Sequence, residues 1–288
     1  MATNDPRRLR DWITGEFSSL DAVVLDIDGV LIRARRALPG ATDFFETLRA
    51  LGLPFRLLTN DASSSAREKV GYLCAAGVDV REEDLFSSGH ALADFVEERG
   101  LRGECFYLMG RLGDPCYARA AGLETTRNLQ AMERTRGIVV GEKEFDWEPN
   151  INAAVNFLIR DPAALLVCPN PDTYFPARDG RIHLSSGAVT RFLSDMVEGF
   201  GRPCRPVYLG KPHAPIFAAN HAFMEKQLGL PTGGLSRQRV LMIGDSLTGD
   251  IAGARTFGYR TALVLTGLTD ADLLAGSSIQ PELVFESL

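Results

Sequence analysis

The sequence predicts an α/β protein built on a doubly wound parallel sheet. Short apolar runs alternate with amphipathic stretches at both ends of the chain, which is typical of strands joined by helices. In the first third, the pattern predicts strands at 22–27 and 54–59 and helices at 40–52 and 64–77. Apolar residues at helical spacing and a terminal glycine mark the helix at 40–52. Strands that alternate with helices in this way run in the same direction.

The last third of the chain repeats this alternation. Its predicted strands and helices are, in order, 205–210, 214–229, 239–245, 249–258 and 260–266. The two ends of the chain therefore predict a Rossmann-like core domain formed by residues 1–86 and 206–288.

The middle of the chain has strand and helix patterns of its own. Residues 87–205 include an apolar run at 137–142 (GIVVGE) and a helical stretch at 150–161 (NINAAVNFLIRD). A connection of this length is too long to be a loop of a compact domain. We therefore expect a second α/β domain at 87–205, inserted into the first.

The composition favours a small-molecule partner. The 288 residues are 45% hydrophobic and carry a formal net charge of −6, whereas nucleic acids and membrane surfaces are anionic and favour basic proteins. The five cysteines are scattered without a CxxC pair, which favours reduced thiols over a zinc or dithiol site. No stretch is apolar enough for a signal peptide or a membrane span. We therefore expect a cytoplasmic protein that binds neither nucleic acid nor membrane.

Polar residues follow the predicted strands at the point where each strand ends. They are Asp26 and Asp28, Thr59 with Asn60, Lys211, and Asp245. Open parallel sheets bind ligands beyond the carboxyl ends of their strands. If these strands are neighbours, one crevice contains several acids, a hydroxyl group and an ammonium group.

These residue types indicate a metal-assisted phosphate site. Crowded carboxylates are costly unless a cation joins them, and oxygen ligands of this kind suit Mg²⁺. Lys211 can neutralise a carboxylate or a phosphate, and Thr59 can donate to phosphate oxygens. Of Asp26 and Asp28, one carboxylate can attack phosphorus while the other moves a proton, and the turn at Gly29 leaves room for the phosphate.

Four short segments resemble the motifs of the haloacid dehalogenase superfamily. They are DIDGVL (26–31), LLTND (57–61), GKP (210–212) and GDSLTGDI (244–251). The long insertion between the second and third motifs and the segment CPNPDTYFP (168–176) are similar to the NagD-like branch. The resemblance implies a Rossmann-like core with an inserted cap domain.

The resemblance also implies roles for single residues. Asp26 would be a metal ligand and the nucleophile that forms an aspartyl-phosphate. Asp28 would be the general acid and base, with its backbone carbonyl meeting the metal. Thr59 would hold the phosphoryl group and Lys211 would balance its charge. Asp245 would bind Mg²⁺, and Asp250 would support the metal or orient the lysine. An acid at position 28 favours phosphate-ester hydrolysis over dehalogenation.

Three further residues have two interpretations each. Asn60 either caps the helix that follows it or contacts phosphate. Asn170 and Asp172 either belong to an ordinary loop with prolines or touch the leaving group of the substrate. Asp61 and Thr248 depart from the branch's usual pattern, which puts the substrate preference in question rather than the chemical step.

We therefore expect a Mg²⁺-dependent phosphatase that acts on a small phosphorylated metabolite. Two alternatives stay open, a catalytically silent sensor of a phosphometabolite and a phosphotransferase or mutase. The inserted domain could also form a homodimer contact.

Overall fold

The computed structural model describes residues 3–4, 8–176 and 181–288. Residue contacts divide the chain into two compact units. The first, here called the core unit, comprises Met1–Thr59, Ala66–Phe86 and Phe217–Leu288. The second, here called the inserted unit, comprises Asn60–Ser65 and Ser87–Ile216.

The core unit contains a sheet of seven strands within the described residues. Their spatial order is β1 (Thr3–Asn4), β16 (Leu283–Phe285), β15 (Arg260–Val264), β14 (Val240–Gly244), β2 (Ala22–Leu25), β5 (Phe55–Thr59) and β6 (Leu85–Ser87). In this spatial order, each pair of neighbouring strands between β1 and β5 is parallel, namely β1–β16, β16–β15, β15–β14, β14–β2 and β2–β5. A short antiparallel hairpin of β3 (Ile32–Arg33) and β4 (Arg36–Ala37) follows β2.

Helices accompany the strands of the core unit. They are α1 (Leu9–Glu16), α2 (Ala41–Ala50), α3 (Ala66–Ala75), most of α8 (Ala214–Gln227), α9 (Ala252–Phe257) and α10 (Ala271–Ala275). All four residues of β2 are buried, as expected for a central parallel strand covered on both faces. Helix α2 buries Phe44, Phe45 and Leu48 in an apolar cluster that also contains residues of β2. Burial of each such side chain contributes about 1.5–3 kcal/mol.

The inserted unit has a parallel sheet of its own. Within the described residues, the order is β13 (Val207–Tyr208), β10 (Leu165–Cys168), β9 (Gly137–Val140), β7 (Cys105–Met109) and β8 (Glu124–Thr126). A hairpin pairs β11 (Tyr174–Pro176) with β12 (Ile182–Leu184). The helices are α4 (Ala91–Glu98), α5 (Tyr117–Ala120), α6 (Trp147–Arg160) and α7 (Ser186–Gly199).

The structure confirms the α/β class and the Rossmann-like parallel sheet, but one strand has a different neighbour. We expected the strand at 205–210 in the core sheet, whereas Val207 and Tyr208 pair with Val167 and Cys168 of β10. The inserted unit also contains residues 60–65 and 206–216, which we expected in the core domain. Apolar periodicity predicts a strand but does not specify which sheet edge accepts its hydrogen bonds.

Among the described residues, no helix combines the length and the apolar character needed to cross a bilayer.

Candidate active site

Three buried carboxylates converge in the core unit. One ligand oxygen from each of Asp26, Asp245 and Asp250 lies within 4.8 Å of the others. Asp26 directly follows β2, and Asp245 directly follows the neighbouring parallel strand β14. The Asp26 N–H donates to the Ile243 carbonyl at 2.9 Å, which continues the pairing of the two strands. The parallel register therefore delivers both acids to the same edge of the sheet.

Two glycines and one backbone N–H lie against the Asp245 carboxylate. Its Oδ2 accepts a hydrogen bond of 2.6 Å from the Leu268 N–H. A Cβ atom added to Gly267 would lie 1.7 Å from this oxygen, and one added to Gly29 would lie 2.1 Å from it. Gly29 also has a φ of 85°, in the left-handed region that favours glycine. These two glycines allow the close approach that holds the carboxylate in one orientation.

The third carboxylate lies in a π-helical turn at Leu247–Ile251, which continues into α9. Oδ2 of Asp250 accepts from the N–H groups of Asp245 at 3.2 Å and Ser246 at 3.1 Å. The Ser246 hydroxyl accepts from the Gly249 N–H at 3.0 Å and caps this turn. Asp250 is thus tied to the backbone that also carries Asp245.

The donor set of this cluster fits a divalent cation. Three carboxylates this close repel each other strongly unless a cation lies between them. Their hard oxygen ligands suit Mg²⁺, which binds through a few carboxylates and keeps water and phosphate as further ligands. Asp26, Asp245 and Asp250 are therefore the residues of the described chain that could hold the metal.

Asp28 differs from Asp26 in its environment. Its side chain is exposed, whereas Asp26 is buried, and its carboxylate is not part of the three-acid cluster found among the described residues. The chain turns directly after it, since the Gly29 N–H donates to the Ile32 carbonyl at 2.8 Å and the Thr266 hydroxyl donates to the Gly29 carbonyl at 2.6 Å. The backbone N–H of Gly29 is therefore used within the turn, and a phosphate contact at Gly29 stays a prediction.

Thr59 is buried at the carboxyl end of β5 in the core unit. Strand β5 pairs in parallel with β2, and Leu57 is the partner of Leu25. Thr59 and Asp26 therefore lie at the same ends of adjacent strands, as the sequence predicts. Its role in holding a phosphoryl group stays a prediction.

Asn60 and Lys211 form a pair in the inserted unit. The Asn60 Oδ1 atom accepts from the backbone N–H of Lys211 at 2.7 Å, and Nδ2 donates to the Lys211 carbonyl at 2.9 Å. Nδ2 also donates to Oδ1 of Asp172 at 2.9 Å. The Asn60 side chain thus fixes the backbone of the predicted catalytic lysine, a role that neither sequence interpretation anticipated. Its contact with phosphate stays a prediction.

Asn170 and Asp172 take separate positions in the loop after β10. Asn170 is buried, and its Nδ2 donates to Glu142 Oε1 and to the Ser185 hydroxyl, both at 2.9 Å. Its Oδ1 accepts from the Asp172 N–H at 3.0 Å. Asp172 itself is exposed. Asn170 therefore shapes the loop that presents Asp172, while contact of either residue with a substrate stays a prediction.

Glu142 is a buried acid of the inserted unit that is absent from the predicted site residues. It lies two residues after β9, is buried, and accepts from Asn170. The available signal was the same one that marked Asp26, an acid that follows an apolar run.

Asp61, one of the departures from the branch pattern, is engaged locally. Its Oδ1 accepts from the Ser63 N–H at 2.7 Å and from the Ser63 hydroxyl at 2.6 Å. These two bonds form a turn of the type that Asp commonly stabilises.

Two further groups of the inserted unit have shifted pKa values. Burial and the nearby Arg191 lower the pKa of His213, whose ring stacks on Tyr208 with centroids 5.0 Å apart. Burial raises the pKa of Cys168 to about 12. The imidazole is therefore neutral and the thiol protonated at neutral pH, and a protonated thiol is a poor nucleophile.

Gly267→Ala is expected to weaken Mg²⁺ binding about 10- to 100-fold, because the new methyl group forces the Asp245 carboxylate out of place. Calorimetric titration with Mg²⁺ measures this. Gly276→Ala is the matched control, since its Cβ would meet no atom closer than 3.7 Å. Equal Mg²⁺ affinity in Gly267→Ala and the wild type would contradict the assignment of Asp245 as a ligand.

Comparison with known proteins identifies the family. Residues 23–124 match the model of the haloacid dehalogenase-like hydrolases, and residues 208–288 match a second model described as HAD-hydrolase-like. The two matched ranges include all four motifs in full and therefore every residue of the carboxylate cluster.

Relatives with named activities align along almost the whole chain. Ribonucleotide monophosphatase NagD from Escherichia coli is 28% identical over 268 residues, covering 92% of this chain and 96% of the relative. Dihydroxyacetone phosphatase from Corynebacterium glutamicum is 28% identical over 265 residues, covering 91% and 87%.

Solved structures of phosphatases are similar to this chain over almost its whole length. The structure of NagD from E. coli has a TM-score of 0.76 at 27% identity and covers 93% of this chain and 96% of that one. A 4-nitrophenylphosphatase from Thermotoga maritima has a TM-score of 0.77 at 25% identity, with coverage of 93% and 95%. This chain therefore belongs to the haloacid dehalogenase-like hydrolases and is a phosphatase of their NagD-like branch.

Proposed function

We propose that this phosphatase depends on Mg²⁺ and hydrolyses a small phosphorylated metabolite through an aspartyl-phosphate on Asp26. The observation that carries this proposal is the convergence of Asp26, Asp245 and Asp250, whose ligand oxygens lie within 4.8 Å of one another. A nucleophilic carboxylate beside two others can approach an anionic phosphate group once their charge is compensated.

In the first step, a carboxylate oxygen of Asp26 attacks phosphorus and the bond from phosphorus to the leaving-group oxygen breaks. Asp28 donates a proton to that oxygen, so the product leaves as a neutral alcohol. In the second step, Asp28 takes a proton from a water molecule as its oxygen attacks phosphorus. Inorganic phosphate is released and the Asp26 carboxylate is regenerated.

The environments of the two acids support this division of labour. The buried Asp26 is held by its backbone bond to Ile243, which keeps the nucleophile in place. The exposed side chain of Asp28 is accessible to the leaving-group oxygen in the first step and to the attacking water in the second. Bound Mg²⁺ supplies positive charge that stabilises the transferring phosphoryl group.

Thr59 and Lys211 complete the proposed roles. The Thr59 hydroxyl can donate to a phosphoryl oxygen, and the ammonium group of Lys211 can neutralise charge that develops in the transition state. Asn60 supports Lys211 by fixing its backbone with bonds of 2.7 and 2.9 Å.

The substrate is proposed only as a class. The named relatives act on ribonucleotide monophosphates, dihydroxyacetone phosphate and 4-nitrophenyl phosphate according to their names, so the leaving group varies while the phosphate is common. In its predicted contact with the leaving group, the Asp172 carboxylate accepts hydrogen bonds from hydroxyl groups but repels a second anionic group. We therefore favour a phosphate ester of a hydroxylated alcohol without further negative charge.

A panel of phosphorylated metabolites assayed with Mg²⁺ tests the proposal. The expected result is release of inorganic phosphate from one or more sugar or polyol phosphates. Thermal stabilisation by such ligands without any turnover would favour the sensor instead. Transfer of the phosphoryl group to an added acceptor alcohol, with little inorganic phosphate, would favour a phosphotransferase.

A homodimer through the inserted domain stays a prediction. Helix α7 exposes Phe192 and Met196 on one face, and the exposed Phe200 follows four residues later as the C-cap of the helix.

A further inference from the structure

Glu142 is a buried carboxylate that gathers several donors on one oxygen. Its Oε1 atom accepts from the Ser186 hydroxyl at 2.6 Å, the Ser186 N–H at 3.1 Å and Asn170 Nδ2 at 2.9 Å, and also from the Ser185 hydroxyl. Ser185 and Ser186 begin helix α7, so the charge lies at the positive end of a helix of 14 residues. Both features stabilise the anion.

The second carboxylate oxygen has a different environment. Oε2 of Glu142 is buried and finds no hydrogen-bond partner among the described residues. Burial of a charge costs several kcal/mol, and an apolar side chain of similar size often serves stability better. The placement of a carboxylate here is therefore better explained by what it holds than by stability.

The bonds of Asn170 lead from Glu142 to Lys211 through residues of the inserted unit alone. Asn170 Oδ1 accepts from the Asp172 N–H at 3.0 Å, and Asp172 Oδ1 accepts from Asn60 Nδ2 at 2.9 Å. Asn60 in turn pairs with both backbone groups of Lys211. The bond from Asn170 holds the backbone of Asp172, and the side chain of Asp172 then accepts from Asn60.

Close packing reinforces this hydrogen-bonded series. A Cβ atom added to Gly210 would lie 2.5 Å from Asn60 Oδ1, 2.5 Å from Pro171 Cδ and 2.6 Å from the Pro169 carbonyl oxygen. The loop at 169–172 therefore lies directly against the backbone that precedes Lys211. A shift of this loop must move Asn60, Lys211 or both.

We propose that Glu142 is a positioning residue for this phosphatase. It acts through Asn170 to hold the loop at 169–172, and through Asp172 and Asn60 to hold the backbone of Lys211. This inference rests on the proposed function, because Lys211 and Asp172 serve the substrate there.

Amide hydrogen exchange at Lys211 tests the structural part of the proposal. In Glu142→Gln, the Lys211 amide is expected to exchange at least about ten-fold faster than in the wild type, because opening of the Asn60 pair becomes easier. Glu144→Gln is the matched control. It removes the charge of an exposed side chain only two residues from Glu142, and the Glu144 carboxylate lies 3.6 Å from Arg111. An unchanged exchange rate of the Lys211 amide in Glu142→Gln would overturn the proposal. An equal rise in the exchange rate of the Val139 amide in β9 would also overturn it, because it would indicate general loosening of the inserted unit.

A double-mutant cycle tests the functional part. The value of kcat/KM for 4-nitrophenyl phosphate is measured in Glu142→Gln, Asp172→Ala and the double variant. If Glu142 acts through Asp172, its substitution is expected to lower kcat/KM about ten-fold in the wild type but less than about two-fold in Asp172→Ala. Equal losses in both backgrounds would overturn the proposal.

Failure of the proposed function gives a different result. Full activity in Asp26→Asn would contradict the assignment of Asp26 as the nucleophile. The rate of amide exchange at Lys211 would still test whether Glu142 holds the Lys211 backbone.

Discussion

Asp26→Asn is expected to lower kcat by roughly 10⁴-fold or more, because the amide cannot attack phosphorus and no covalent intermediate forms. Asn has nearly the same shape as Asp, and the backbone bond from residue 26 to the Ile243 carbonyl does not depend on the side chain. The fold and the binding of phosphate should therefore persist. Release of inorganic phosphate from 4-nitrophenyl phosphate in the presence of Mg²⁺ measures the effect.

Asp43→Asn is the matched control for this substitution. Asp43 lies in the first turn of α2, its side chain is 63% exposed, and its contact with Arg10 is a surface pair at 3.6 Å. Such a pair contributes little to stability, so wild-type turnover is expected. Rapid acid quenching of the wild type should also give one added phosphoryl group on the peptide that contains Asp26. A phosphorylated peptide elsewhere, or substantial turnover by Asp26→Asn, would contradict the assignment of the nucleophile.

Asp245→Asn is expected to lower Mg²⁺-dependent activity on the order of 10²- to 10³-fold, which corresponds to several kcal/mol of charge stabilisation by the metal. The substitution removes one of the three converging charges. The oxygen of the new amide can still accept from the Leu268 N–H, which now donates to Oδ2 at 2.6 Å. Its NH2 group then takes the place of the other carboxylate oxygen and cannot bind a cation.

Metal titration separates this effect from a general loss of structure. Chelation should abolish wild-type activity, and added Mg²⁺ should restore it. Mg²⁺ should also raise the melting temperature of the wild type, since it binds the folded carboxylate cluster, and this rise should disappear in Asp245→Asn. Asp43→Asn again serves as the control. Wild-type activity after chelation, or an unchanged response of Asp245→Asn to Mg²⁺, would contradict the proposed metal site.

Much of the core could be predicted from the sequence because its signals are local. Strand β2 is a continuous apolar run, and its burial along all four residues agrees with a central parallel strand. The acids at 26 and 245 directly follow their strands, so a parallel sheet had to bring them to one edge. The cluster also includes Asp250, which lies five positions along the chain from Asp245 in the π-helical turn that follows β14.

The partner of β13 could not be predicted in the same way. Val207 and Tyr208 are half-buried and form a strand of two residues, too short for a periodic pattern to show which sheet it joins. Its pairing with β10 depends on an open edge that residues 165–168 provide. The same limit applies to Asn60, whose side chain bonds to a residue 151 positions away in the chain.

The sequence by itself determined the fold class, the placement of acids at the ends of strands β2 and β14, and the kind of chemistry they suit. These properties follow from apolar periodicity and from the charge of adjacent residues. Only the tertiary structure decided that Asn60 holds the backbone of Lys211 and that Glu142 holds Asn170. Such bonds join residues distant in the chain, and their formation depends on burial and orientation that local sequence does not encode.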